Sequence, residues 1–200
     1  MDEDKSFDAN QATHTVVIED LQKLKQWLTA NEIDFSLWGS GSAKTVEHLW
    51  QELVEGETYL QAHPPTRVCA VVQVIIQQGD KILIEAEQLF ANGQRRNRDS
   101  LPSEKMKLDE PYDTAAVRCL AEELSLDPKS IDILHSTYRV EVELVESPSY
   151  PGLQTQYLLH KVGANVPSLP AEEFWTTENL SSEASDMIMR HRWVWRDSSQ

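Results

Sequence analysis

Cysteine is nearly absent from this chain: Cys69 and Cys119 are the only two in 200 residues, one inside an apolar run and the other inside a helical pattern. Neither belongs to a CxxC pair or a spaced framework, which excludes a disulfide scaffold or a zinc centre of clustered thiolates and fits a reducing, cytoplasmic setting. Basic residues are scarce as well, 18 Lys and Arg against 33 Asp and Glu, for a formal net charge of −15. A field of that sign repels nucleic-acid phosphates, so general DNA or RNA binding is not expected. Long apolar runs are missing too. The most apolar stretch, residues 68–76, is interrupted by Gln73 and falls far short of the roughly 20 residues a bilayer span needs, so no membrane association is expected. The opening MDEDKSFDAN has neither the positive start nor the apolar stretch of a secretory signal and is too acidic for a transit peptide. Residues 1–12 read as a disordered acidic tail.

The 40% hydrophobic share is enough for a real core. From residue 16 to about 33, Val17, Leu21, Leu24, Trp27 and Leu28 recur at helical steps, and this helix is expected to end near Asn31. After WGSGS, the residues Val46, Leu49, Trp50, Leu53 and Tyr59 predict a second helix or helical pair with Ser42 as N-cap, stopped by Pro64 and Pro65. Residues 13–65 thus read as an N-terminal helical extension whose apolar stripes close on the following domain, across a homodimer or onto a protein partner.

The pattern changes at residue 66. Two β-rich runs flank Gly79-Asp80 and predict a hairpin, and Asn92-Gly93 marks another turn, followed by the basic group Arg95, Arg96 and Arg98. Residues 113–124 make the strongest helix, with Asp113 as its expected N-cap. Strands are expected over 139–145 and 153–162 and near RHRWVWR at 190–196, the last preceded by the serine- and acid-rich SSEASD. No internal repeat is visible. On a helical wheel, Val117, Leu120 and Leu124 form the expected core stripe, which puts Arg118, Cys119, Glu122 and Glu123 on the opposite face. Clustered carboxylates repel unless a cation neutralises them, so this face suits Mg²⁺; it also suits plain solvation.

The segment from Glu104 to Leu126 resembles the Nudix box: Gly, five residues, Glu, seven residues, then Arg-Glu-apolar-x-Glu-Glu-x-Gly-apolar. Here Glu110, Arg118, Leu120, Glu122, Glu123 and Leu126 match, while Glu104, Cys119 and Ser125 replace Gly, Glu and Gly. The resemblance implies a Nudix-type α/β/α sandwich with a mixed β-sheet over residues 66–196. It implies Mg²⁺ or Mn²⁺ held by Glu122, Glu123 and the Ser103 carbonyl, with Glu110 and Arg118 bracing the loop. Cys119 stands where the family carries a metal-binding or basic Glu, and a thiol is a poor ligand for a hard cation. Glu104 is the candidate to restore a third carboxylate, and Glu172 or Glu173 a candidate base from a later loop. Cys119 as a nucleophile lacks an identifiable partner in the sequence.

Arg95, Arg96 and Arg98 are candidates to grip a substrate phosphate, or else an exposed basic turn. His191 reads as a packing or surface histidine. Trp175, Trp193 and Trp195 read as buried side chains or as platforms for a base. Two functions follow: metal-dependent hydrolysis of a nucleoside diphosphate linked to another group, or a non-catalytic module that binds a nucleotide or a protein.

Overall fold

The computed structural model describes residues 15–166, 169–177 and 188–198. The expected acidic tail at 1–12 and the SSEASD segment at 181–186 lie outside the described residues. Among the described residues, no helix is long and apolar enough to cross a membrane. The chain divides into two compact units, Met1–Cys69 with Val142–Tyr157, and Ala70–Glu141 with Leu158–Gln200.

In the first unit, β1 (Thr15–Val16) pairs antiparallel with β2 (Tyr59–Gln61), and β2 pairs antiparallel with the start of β3 (Thr66–Gln78). The helix α1 (Leu21–Ala30) starts five residues later than the apolar period suggests, because Asp20 caps it by accepting a hydrogen bond from the Lys23 N–H at 2.7 Å. Val17, read as part of its stripe, lies outside the helix and is exposed. Asn31 ends α1 as expected. For α2 (Val46–Val54) the cap is Thr45 rather than Ser42: its hydroxyl accepts from the His48 N–H, and the His48 ring returns the bond to the Thr45 N–H. Tyr59 lies in a strand, so residues 13–65 are not wholly helical. The stripes close within their own unit, where Leu24, Leu28, Val46 and Leu49 form a core with Trp38, Leu60, Tyr150 and Leu153.

In the second unit, Gly79 at φ 64 turns β3 into β4 (Lys81–Phe90), with Gln78 opposite Lys81, the expected hairpin. The strand β4 also pairs antiparallel with β5 (Arg95–Ser100) and with β10 (Ile188–Asp197), and β10 with β9 (Phe174–Thr177). The short β6 (Ser103–Lys105) pairs with β3. A 3-10 turn, Pro128–Ser130, leads to β7 (Asp132–Glu146), which pairs with β8 (Gln154–Asn165). At Gly163 a Cβ would meet the Thr137 hydroxyl at 3.0 Å, so a side chain there would require that hydroxyl to give by a few tenths of an ångström.

The helix α3 (Tyr112–Leu124) follows the box loop. Its N-cap is Pro111, which offers no side-chain bond, and Asp113 sits one step inside, where its carboxylate accepts from the Thr114 N–H at 2.7 Å. The buried stripe is Ala115, Ala116, Cys119, Leu120, Glu123 and Leu124, while Val117 is only half-buried. It is therefore rotated from the stripe centred on Val117. Ala115, Ala116 and Cys119 are small and let the helix sit close on Val72, Val74, Leu83 and Trp193. Burial of Leu120 alone contributes about 1.5–3 kcal/mol. Ser125 ends the helix at φ 55, the left-handed region that favours glycine.

Candidate functional site: the box helix and its buried acids

The box loop and α3 are joined through Arg118. Its Nε and Nη2 each donate to the Glu110 carboxylate at 3.1 Å, and Nη2 also donates to the Lys105 carbonyl at 2.8 Å. Its Nη1 lies 3.8 Å from Glu104 and 3.6 Å from Glu122. One guanidinium thus gathers three carboxylates. Burial alone would raise the Glu110 carboxyl, but the Arg118 bond and the Lys107 N–H outweigh it and hold Glu110 below its ordinary range. For Arg118, burial disfavours the charge and is outweighed by Glu110, Glu104 and Glu122, so its pKa rises.

On the inward side of the same helix lies a cluster that the sequence reading missed. Glu85 of β4 is 1% exposed, and its carboxylate meets His191 Nδ1 at 2.5 Å and accepts from Arg98 Nε at 3.0 Å. Burial pushes Glu85 up, but His191 and Arg98 win and leave it lowered and charged. Trp193 stacks on His191 and donates its indole N–H to the Thr176 hydroxyl at 2.8 Å, and that hydroxyl in turn donates to the Glu123 carbonyl. The Glu123 carboxyl is buried, and its Oε2 has no hydrogen-bond partner. Burial first, then the charges of Glu85 and Glu104, push its pKa well above the usual carboxylate range against the pull of His191 and Arg98. Burial and Glu123, with which it shares a hydrogen bond, likewise drive the Cys119 thiol up, away from thiolate.

The expected site residues therefore separate. Cys119 and Glu123, read as sharing the outer face with Arg118 and Glu122, are buried, and Glu122 stays outside as an exposed partner of Arg118. Glu104 sits on β6 opposite Val72 and accepts from the Lys105 N–H at 3.0 Å; Ser103 stands opposite Gln73. Of the arginine group, Arg95 donates to Glu87, Arg96 donates to Gln88 and covers the Phe90 ring, and Arg98 turns inward to Glu85. Glu173 is paired with Arg192. His191, read as a packing or surface residue, is a buried partner of a carboxylate. One signal for it was present. Glu85 falls in step with Leu83, and His191 with Trp193 and Trp195, so a charged residue and a histidine occupy inward strand positions where an apolar side chain is the default.

As they stand, these residues do not fit a hard divalent cation, which takes six or more oxygen ligands. The inward set is a thiol, a buried carboxyl whose pKa burial and neighbouring charges raise, and a carboxylate already held by Arg98 and His191. Among the described residues no group of three or more His, Cys, Asp or Glu side chains is gathered to hold a metal.

No protein-family model matches the chain. No curated protein matches it either. Solved structures with some likeness include the E. coli ORF135 protein, at 22% identity over 65% of this chain and 74% of that one, with a TM-score of 0.36. The Ap4A hydrolase of C. elegans shares 16% identity over 65% of this chain and 80% of its own, at a TM-score of 0.33. A NUDIX hydrolase from Nitrosomonas europaea shares 15% over 62% and 70%, at 0.35. Likenesses of this depth leave the function to be argued from the site.

Proposed function

We propose that this chain carries a Nudix-like α/β/α module that binds a nucleotide-type ligand without hydrolysing it, its box retained as an internal brace. The observation behind this reading is the disposition of the carboxylates. Glu104, Glu110 and Glu122 are gathered on Arg118, Glu85 is held by Arg98 and His191, and Glu123 is buried beside a thiol with its Oε2 lacking a hydrogen-bond partner. Metal-assisted hydrolysis of a diphosphate needs charged oxygens free to bind cations and a base to activate water. Each acid near α3 instead has another engagement or is buried with its pKa raised. On this reading Mg²⁺ or Mn²⁺ is not a resident cofactor.

The test is a screen of nucleoside diphosphate derivatives with Mg²⁺ or Mn²⁺, using wild type, Cys119→Glu and Glu122→Gln. The expected result is no turnover by wild type above the buffer rate. Cys119→Glu adds a carboxylate one helical turn before Glu123, and turnover appearing only in that variant would mark a retired centre. Wild-type turnover that Glu122→Gln removes would overturn the reading and establish the box as catalytic.

A further inference from the structure

The strand β7 runs for 15 residues with neither glycine nor proline, and among the described residues its strand partner is β8, on one side. Over residues 138–144 the period of two sorts its side chains into an apolar face, Tyr138, Val140, Val142 and Leu144, and a charged face, Arg139, Glu141 and Glu143. We propose that the other edge of β7 is the docking site for a second copy of this chain, whose own β7 adds antiparallel about a twofold axis at Glu141.

The character of the edge is the first ground. Long edges are ordinarily kept from taking up another strand by proline, by lysine or by a charge set among the apolar side chains. Residues 138–144 contain neither proline nor lysine, and their charges stay off the apolar face. Val142 is 60% exposed and Leu144 57%, so two large apolar side chains stand beside this edge in water, and an added strand would cover them.

Charge complementarity selects the occupant, because this segment complements its own reverse. A twofold axis at Glu141 sets Arg139 opposite Glu143 of the second copy, Val140 opposite Val142 and Tyr138 opposite Leu144, and symmetry makes each pair twice. An axis at Val142 would instead set Glu141 against Glu143, and one at Val140 would set Leu144 against Ser136 and Glu143 against Thr137. At the axis the two Glu141 carboxylates are already compensated, each by Arg139 at 3.0 Å and by Lys161. In each copy Arg139 and Lys161 thus balance Glu141 and Glu143. None of these residues belongs to the box, so this inference and the reading of the box fail separately.

The experiment is sedimentation equilibrium of the full chain in about 0.15 M salt, which screens its net charge beyond roughly 8 Å. Wild type is expected to dimerise with Kd on the order of 10 µM. Arg139→Glu and Glu143→Arg, both exposed changes, each set like charges opposite one another and should weaken self-association about tenfold. Mixed in equal amounts, the two variants should associate about as tightly as wild type, because every charged pair across the twofold axis is then of opposite sign. Leu144→Lys should weaken the dimer about tenfold through the apolar face. A wild type that stays monomeric up to about 100 µM would overturn the inference. So would a dimer that neither charge reversal weakens, or two weakened variants that fail to rescue one another on mixing.

Discussion

Arg67→Met is expected to lower the unfolding free energy by about 3–5 kcal/mol, because it takes the buried cation away from a buried carboxylate. Arg67 is 2% exposed and donates to Glu52 at 2.7 Å, with its guanidinium 5.1 Å from the centre of the Tyr150 ring. Burial works against its charge, yet Cys69, Glu52 and Tyr157 beside it more than compensate and raise its pKa. Two of its N–H groups, Nε and Nη1, have no hydrogen-bond partner, so the pair is held by geometry rather than by full satisfaction. After the substitution Glu52 still faces the half-exposed Lys44, at 2.7 Å. Replacing both charges, as in Glu52→Leu/Arg67→Met, should recover much of the loss, since an apolar pair of similar volume avoids the desolvation. The check is the urea midpoint of each variant at unchanged slope. A single variant as stable as wild type would show that Arg67 contributes nothing to this core.

Arg118→Met is expected to cost about 2–4 kcal/mol, through three lost hydrogen bonds and the stranding of Glu110. Glu110 is the part that matters most, because its side chain is only 12% exposed, whereas Glu122 at 50% is screened by water and adds little. Arg118→Lys keeps the charge but not the fork that spans Glu110 and the Lys105 carbonyl, so it should retain less than half of the stabilisation. Local opening of the loop at 105–110, read by amide hydrogen exchange, should speed up in both variants. Unchanged exchange there would mean that the box loop is held by its own turns and not by Arg118.

How much of this was legible in the sequence depends on the kind of residue. The β3–β4 hairpin was, because Gly79 between two branched runs has few other uses. The extent of α3 was legible to within a residue, but its rotation was not. Counting Cys119 and Glu123 as polar placed the stripe on Val117, when a thiol packs as a small apolar group and a neutral carboxyl can be buried. Glu110 and Arg118 pair over eight positions of sequence, whereas Glu85 and His191 lie 106 positions apart and meet through the pairing of β4 with β10. In the first unit, Tyr59 looked helical because a three-residue strand is too short to display a period of two.

On the proposed reading the buried Glu123 carboxyl keeps its proton above the ordinary carboxylate range rather than serving as a charged ligand for a cation. Below the ordinary value of 4.5 both folded and unfolded chains hold this proton, and the group has no effect on stability. As pH rises beyond it, the unfolded chain releases the proton while the folded one keeps it, so stability falls until the raised folded pKa is reached. The deciding measurement is unfolding free energy against pH from about 4.5 to 8 for wild type and Glu123→Gln, each with and without Mg²⁺. The variant is expected to gain on wild type steadily as pH rises, with Mg²⁺ leaving both curves in place. Wild type stabilised by Mg²⁺ near neutral pH, with that gain abolished in Glu123→Gln, would contradict it.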